Sequence, residues 1–382
     1  MGRSYGVLGP YPPTRDGLAN HSQGLLRSLA APGSGDRVGI LRVMDGSIGT
    51  RVPDVVGYLH KQSRNSAAAA AATLNTFDVV LVQHAFDMYG GQDGDQLLTV
   101  LEDVRAPVVT ILHTVRTDPS TNQIGVIRRL ADASDAVVVL SNAARKALVD
   151  TYGADPGRVR IIRHGSLPTA RGQPSLAPGR PLILTWGLLT PDKGIEHLID
   201  GLQFLRGLRP MPAYMLAGRT HPRVEALHGE TYRRALLQRA RSNGMGTAFR
   251  SVDTYLDDAA LAVLIDRADV VVLPYNCRYQ TSSPVLVEAL AAGKPVVATR
   301  FPHAVELLSG GAGLLVDHQD PAAIGHAVRR VLTEAGLAER LTARAALEAT
   351  THTWADAARQ YRELCTQVMD RSIARGARPD FV

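Results

Sequence analysis

Short apolar runs recur along the chain, separated by stretches in which apolar residues return every three or four positions. In the first half the runs fall at 5–8, 38–43, 78–82, 107–112, 136–140 and 159–162, and each predicts a strand buried on both faces. Helical stretches alternate with them: 18–30, the alanine-rich 65–74, and a segment opened by the N-cap residue Ser141 and running to about Tyr152. Between 169 and 181 prolines and glycines gather in a polar setting, which predicts a linker. The alternation then restarts, with strands expected at 182–186, 213–217, 248–252, 270–274, 295–299 and 313–316. Beyond Asp320 the pattern is wholly helical. It closes with Thr353-Trp-Ala-Asp356, which resembles a capping box and leads a final helix to about Met369.

Alternating strands and helices imply parallel sheets covered on both faces. With 382 residues the chain exceeds the roughly 250–300 at which a single core stops growing, so two domains are expected. The expected fold is α/β: a Rossmann-like domain over 1–168, a linker over 169–181, a second Rossmann-like domain over 182–352, and a C-terminal helix over 353–382 packing back toward the first. Open doubly wound sheets bind ligands beyond the carboxyl ends of their strands, so the pattern also predicts a cleft between the domains. Residues just after strands are therefore where chemistry is sought.

Composition narrows the class. Hydrophobic residues make up 45% and charged residues 20%, and aromatic content is low, as in soluble α/β proteins. Cys277 and Cys365 have neither metal-ligand spacing nor a disulfide framework, which fits packing residues in a reducing compartment. The N-terminus becomes strand-like at once, without a signal-peptide pattern, and no apolar run nears the roughly 18–20 residues that span a bilayer. A cytoplasmic protein is expected, with any membrane contact peripheral and at the inner face. The net charge of +6 favours anionic partners such as nucleotide diphosphates or acidic lipid surfaces. No dense Lys/Arg run with interleaved aromatics occurs, so nucleic acid is not an expected partner.

The stretch 278–299 carries the most chemistry. After a buried strand it supplies the polar residues Gln280, Thr281, Ser282 and Ser283, a helix start at Pro284, and Glu288 one turn inside. Ser282 or Ser283 can cap that helix, leaving the amides of Val285 and Leu286 to face a phosphate, while Glu288 can accept both hydroxyls of a ribose. A capped helix in a βαβ unit that binds nothing has the same local pattern. Gly187-Leu-Leu-Thr-Pro-Asp-Lys-Gly194 follows the first strand of the second domain and begins a helix near Lys193, whose ammonium can neutralise a departing diphosphate. It lacks the Gly-Lys-Ser/Thr ending of a P-loop, and no complete Gly-x-Gly-x-x-Gly follows a strand, which weighs against an ATPase or a dehydrogenase. His113 ends the strand at 107–112, where an imidazole can bond a substrate hydroxyl, though a lone histidine after a strand is more often structural. Gly17, in the first βα loop, lets backbone come close to a ligand.

Taken in order, these elements resemble the retaining GT-B glycosyltransferases, the large family that includes bacterial glycogen synthases and phosphatidylinositol mannosyltransferases. The likeness extends over nearly the whole chain, with secondary matches at Val138-Val-Leu-Ser141, Ile161-Ile-Arg-His-Gly165 and Ala289-Leu-Ala-Ala-Gly-Lys-Pro295. It implies a hexosyl transfer, with mannose or glucose favoured (from GDP-mannose or UDP-glucose), to a saccharide or lipid hydroxyl. It further implies retention of configuration, no cofactor and no metal. Glu288 would hold the donor ribose, Lys193 the diphosphate, the amides near Ser283 and Val285 a phosphate or the sugar, and His113 the sugar. Two positions depart from the family pattern: Leu188 replaces the usual diphosphate-binding arginine, and Gln280 replaces the first glutamate of a Glu-x7-Glu pair. Gln280 can bond sugar hydroxyls but cannot stabilise positive charge as a carboxylate would, and Arg219 or Arg278 would have to supply the missing cation. Those departures keep two alternatives open, a nucleotide-sugar epimerase of the same architecture and a non-catalytic nucleotide-sugar-binding subunit.

Overall fold

The computed structural model describes residues 2–45, 52–61, 63–166 and 179–374. Most of the expected linker, 167–178, lies outside them. The chain divides into two units: residues 1–165 with 354–382, and residues 166–353.

Among the described residues, the first unit is built on seven parallel strands: β1 (Ser4–Gly9), β2 (Arg37–Met44), β3 (Val55–His60), β4 (Val79–His84), β5 (Val108–Leu112), β6 (Ala136–Val139) and β7 (Val159–Ile161). Their order is β3-β2-β1-β4-β5-β6-β7, so the winding reverses between β1 and β4. The crossovers are α1 (Gly17–Leu29), α2 (Arg64–Leu74), α3 (Gln96–Glu102), α4 (Thr121–Ala133) and α5 (Asn142–Asp150). Polar side chains start these helices by taking an N3 amide: Asp16 for α1, Ser63 for α2, Ser141 for α5, and Ser120 with Gln123 in a reciprocal capping box for α4. Successive strand residues alternate between two cores. Tyr5 and Val7 pack with Leu81 and Ile111 on one face, and Leu8 packs with Val80 and Val82 on the other.

The apolar pattern anticipates every strand of this sheet except β3. That strand lies at the sheet edge beside β2, has Gly57 in its middle and leaves Val56 51% exposed, so only Leu59 is buried. An edge strand needs no continuous apolar run, and the signal is correspondingly weak.

Among the described residues the second unit repeats the plan with six parallel strands, β8 (Leu182–Trp186), β9 (Ala213–Ala217), β10 (Phe249–Val252), β11 (Val270–Leu273), β12 (Val296–Thr299) and β13 (Leu314–Val316), in the order β10-β9-β8-β11-β12-β13. Its helices are α6 (Ile195–Gly201), α7 (Pro222–His228), α8 (Thr231–Ser242), α9 (Asp258–Asp266), α10 (Pro284–Ala291), α11 (Pro302–Leu308), α12 (Pro321–Thr333) and α13 (Leu337–Ala349). The winding reverses between β8 and β11.

The final helix, α14 (Trp354–Ala374), belongs to the first unit and runs beyond the expected end at Met369. Gly24 on α1 and Gly165 have no side chain because the Trp354 ring occupies the place a Cβ would take. Arg362 ties the helix to Asp36 (2.7 Å) and to the Ser28 and Leu29 carbonyls at the end of α1, and Cys365 is buried in the same contact. Among the described residues no helix is long and apolar enough to cross a membrane.

Candidate active site

In the second unit three segments meet at the carboxyl ends of β8, β9 and β11, where a reversal of strand order leaves room for a ligand. The first two touch through glycines. Gly187 and Gly218 have φ of 113° and 133°, and a Cβ on Gly218 would run into the Gly187 carbonyl. Arg233, 5% exposed, fixes this turn by donating to the Gly218 carbonyl (2.7 Å) and Ser251 Oγ (2.6 Å) while pairing with Glu230 (3.0 Å) and Asp253 (3.1 Å).

Lys193 lies near a helix start, as expected, two residues ahead of α6. Pro191–Lys193 form a single 3-10 turn, Gly194 follows in the left-handed region (φ 59°, ψ 28°), and α6 starts at Ile195. This loop packs closely on the neighbouring strand end. A Cβ on Gly194 would strike the Pro274 carbonyl and come within 3.0 Å of Asn276 Oδ1, and the Asp192 carbonyl accepts the Asn276 amide at 2.8 Å. Gly194→Ala is expected to destabilise the protein by about 2–4 kcal/mol through left-handed strain and overpacking. A denaturant midpoint equal to that of the parent would show that this loop is not pinned against β11.

The Lys193 Nζ stands 4.0 Å from the centroid of the Tyr275 ring, and no acidic side chain pairs with it among the described residues. The ring face is the electrostatic partner of this ammonium, which leaves its positive charge uncompensated by any described carboxylate. Tyr275 is itself locked: it is buried, stacked on Phe301, and its carbonyl is bonded to Thr299 Oγ1 and His318 Nδ1, each at 2.8 Å.

Ser283 is the cap of α10. Its Oγ accepts the Leu286 amide (3.3 Å), Pro284 has no amide to give, and the Ser283 amide itself goes to His303 Nδ1 (2.9 Å). The expected pair of free amides at Val285 and Leu286 is therefore reduced to Val285, because the serine that starts the helix consumes the other. Glu288 is half-buried and accepts the Trp186 indole N–H at Oε2 (3.0 Å). Burial pushes its carboxyl up to about 7, against the pull of that hydrogen bond. Gln280 turns back on its own loop, donating to the Ser282 carbonyl (2.9 Å), with Thr281 buried beside it and Ser282 half-buried. Of the two expected substitutes for the missing arginine at Leu188, Arg219 is held beside it, its carbonyl accepting the Leu189 amide at 2.8 Å. Arg219 faces Glu225 at 3.4 Å on the surface, and Arg278 is exposed. Lys294 is buried and donates to the Asp266 carbonyl at the end of α9.

In the first unit His113 follows β5. Its Nε2 lies 2.9 Å from Gln83 Oε1, and the Gln83 amide nitrogen donates to Ser22 Oγ (2.5 Å). That chain leaves the proton on Nε2 and a lone pair on Nδ1. Burial, with His164 and His84 adding to it, lowers His113 to about 3, so the ring is neutral at physiological pH. Gly17 opens α1 behind Asp16 and is exposed; a Cβ there would meet nothing within 4 Å, so packing within the protein does not require a glycine. Among the described residues no group of three or more His, Cys, Asp or Glu could hold a metal ion.

Sequence reasoning passed over Trp186, Tyr275 and Arg233. The first two were legible only as strand-end aromatics, and nothing local marks Arg233, whose partners come from three separate segments.

Two doubly wound units, each with polar residues gathered where its strand order reverses, define the GT-B architecture. Residues 17–166 match the family model described as Glycosyltransferase Family 4, and residues 180–334 match the one described as Glycosyl transferases group 1. The chain belongs to the GT-B glycosyltransferases. Glycogen synthase of Mycobacterium tuberculosis is 28% identical over 248 residues, which cover 61% of this chain and 56% of that protein. A phosphatidyl-myo-inositol mannosyltransferase of Mycobacterium leprae is 28% identical over 267 residues, covering 68% of this chain and 67% of its own. The match thus spans little more than half of the glycogen synthase and two thirds of the mannosyltransferase. Among solved structures, Anabaena HepE in complex with UDP-glucose superimposes with a TM-score of 0.75 at 18% identity, covering 96% of this chain and all of that one. Sucrose-phosphate synthase from Thermosynechococcus elongatus does so with 0.73 at 19%, covering 97% and 100%. These last two are likenesses of fold.

Proposed function

We propose that this protein transfers a hexosyl group from a nucleotide-diphosphate sugar to an acceptor hydroxyl. The observation that carries the reading is Lys193: an ammonium unpaired with any described carboxylate, held over the Tyr275 ring in the loop that follows β8, where the order of the second sheet reverses. Such a place suits a diphosphate, with the Val285 amide as a further donor. Glu288, one turn deeper, accepts the ribose hydroxyls. Negative charge grows on the diphosphate as the glycosidic bond breaks, so Lys193 acts most strongly in the transition state. In this reading it does the electrostatic work that a divalent ion would otherwise do, and EDTA is expected to leave the rate unchanged.

His113, through its Nδ1 lone pair, accepts a hydrogen bond from a hydroxyl of the transferred sugar, and Gln280 contributes a polar contact without negative charge. Mannose and glucose are the favoured sugars, a saccharide or lipid hydroxyl is the acceptor, and retention of configuration follows the family. Its relatives, among them a glycogen synthase and a phosphatidyl-myo-inositol mannosyltransferase, support both acceptor types.

Thermal unfolding with UDP, GDP and their glucose and mannose conjugates tests the donor half, because a ligand selective for the native state raises Tm. One base is expected to raise Tm in the parent and not in a Glu288 variant. Conversion of donor alone into an isomerised nucleotide sugar would replace transfer with epimerisation. Donor binding with no turnover on saccharide and lipid acceptors alike would leave only a binding subunit.

A further inference from the structure

Arg42 lies at the carboxyl end of β2 and is 8% exposed. One of its terminal nitrogens donates to Thr14 Oγ1 (2.9 Å), its Nε is buried without a partner, and no carboxylate pairs with it among the described residues. Nearby acids are otherwise engaged: Asp45 with Lys61 (2.9 Å) and Asp54 with the Tyr11 hydroxyl (2.9 Å). Residues 46–51, which follow β2, contain no Asp or Glu. Arg233 presents the opposite case. That guanidinium is buried to a similar degree, but it has two carboxylates, two hydroxyls and a carbonyl around it. A buried charge without a counter-charge is costly, and its retention calls for an anion that the chain does not supply.

The register shows where the anion fits. Arg42 is opposite Gly9 on β1 and Tyr58 on β3. On the other side of Gly9 stands Gln83 of β4, whose amide a Cβ on Gly9 would approach to 3.1 Å. The row along this edge thus reads Tyr58, Arg42, Gly9, Gln83, and Gly9 puts no side chain of its own between Arg42 and Gln83, whose amide oxygen meets His113. Thr14, in the β1–α1 loop, meets the guanidinium through its Oγ1.

We propose that Arg42 and Thr14 bind a phosphate ester carried by the acceptor substrate. The planar guanidinium fork matches phosphate oxygens, and a dianion supplies the missing charge. The word acceptor rests on the glycosyl-transfer reading above; the anion site does not.

The test compares the full chain with its Arg42→Gln and Arg42→Lys variants. Inorganic phosphate, against chloride at equal ionic strength, is expected to raise the Tm of the parent and not that of Arg42→Gln, with Arg42→Lys between. In phosphate-free buffer Arg42→Gln is expected to melt no lower than the parent, because it removes an uncompensated charge. A lower Tm there, with the phosphate response intact, would make Arg42 a structural residue and overturn the proposal.

With saturating donor, transfer to a phosphate-bearing acceptor is expected to exceed transfer to its neutral counterpart, and Arg42→Gln to erase the preference, a loss of about 100-fold in kcat/KM. Hexose 6-phosphates as the better acceptors would identify a free sugar phosphate, and vesicles containing phosphatidylinositol a lipid headgroup; either supports the site. Equal rates on neutral and phosphorylated acceptors would defeat the proposal while leaving glycosyl transfer in place. Absence of UDP or GDP binding in the parent, with the phosphate response present, would instead defeat the donor reading alone.

Discussion

Lys193→Ala is expected to lower kcat/KM for glycosyl transfer by about 100- to 1,000-fold, the usual consequence of removing one preorganised donor from developing negative charge. The fall should be mainly in kcat. A cation that faces a leaving diphosphate does more for the transition state than for the bound donor, whose charge is smaller at the bridging oxygen. The structure makes the variant interpretable. Lys193 carries no ion pair among the described residues, so its removal strands no carboxylate there, and the ring beneath it stays fixed by Phe301, Thr299 and His318. Lys193→Arg, which keeps the positive charge, is expected to recover part of the rate. Steady-state kinetics with a fixed acceptor provide the check, and parental kcat in Lys193→Ala would remove this residue from the chemistry.

Glu288→Gln is expected to separate binding from stability. Loss of a charged acceptor for two ribose hydroxyls should weaken nucleoside diphosphate binding by about 10- to 100-fold, measured by calorimetry at pH 8. Stability should move the other way. Burial raises the Glu288 carboxyl from its ordinary 4.5 to about 7, so between those values the folded protein keeps a proton that the unfolded chain has lost. Folding then binds protons, and stability falls as pH rises through that window, by about 3 kcal/mol once pH 7 is passed. Glutamine keeps the oxygen that accepts the Trp186 indole and does not ionise. The variant should therefore be more stable than the parent at pH 8 and close to it at pH 4.5. Parallel stability curves for the two proteins across pH 4.5–8 would show that Glu288 is not held in a desolvated state. In the parent, nucleotide affinity is expected to rise through pH 7 as the carboxylate forms.

Buried parallel strands are legible because each must be apolar on both faces, and twelve of the thirteen described strands announce themselves that way; β3 does not, since an edge strand is wetted along one side. Helix starts are equally plain where Ser or Asp stands before an amphipathic run, as at Ser141. The same local rule misleads at the site. A serine that caps α10 has to spend its oxygen on Leu286, so capping and a free pair of phosphate-binding amides exclude each other there. The local pattern does place Lys193 near a helix start, and there α6 follows a 3-10 turn through Gly194, where a Cβ would strike the Pro274 carbonyl.

Period and punctuation along the chain thus suffice for two α/β units and for the short set of residues that follow their strands, because hydrophobic burial and capping act over a few neighbouring positions. Which of those residues carry uncompensated charge is a different matter. Arg42 and Arg233 are both buried arginines, yet Arg233 is surrounded by acids and Arg42 has none among the described residues. Lys193 meets Tyr275 and Glu288 meets Trp186 only once β8 and β11 lie side by side. Pairing and desolvation depend on neighbours in space far apart in the chain, and these set where a ligand's charge is wanted.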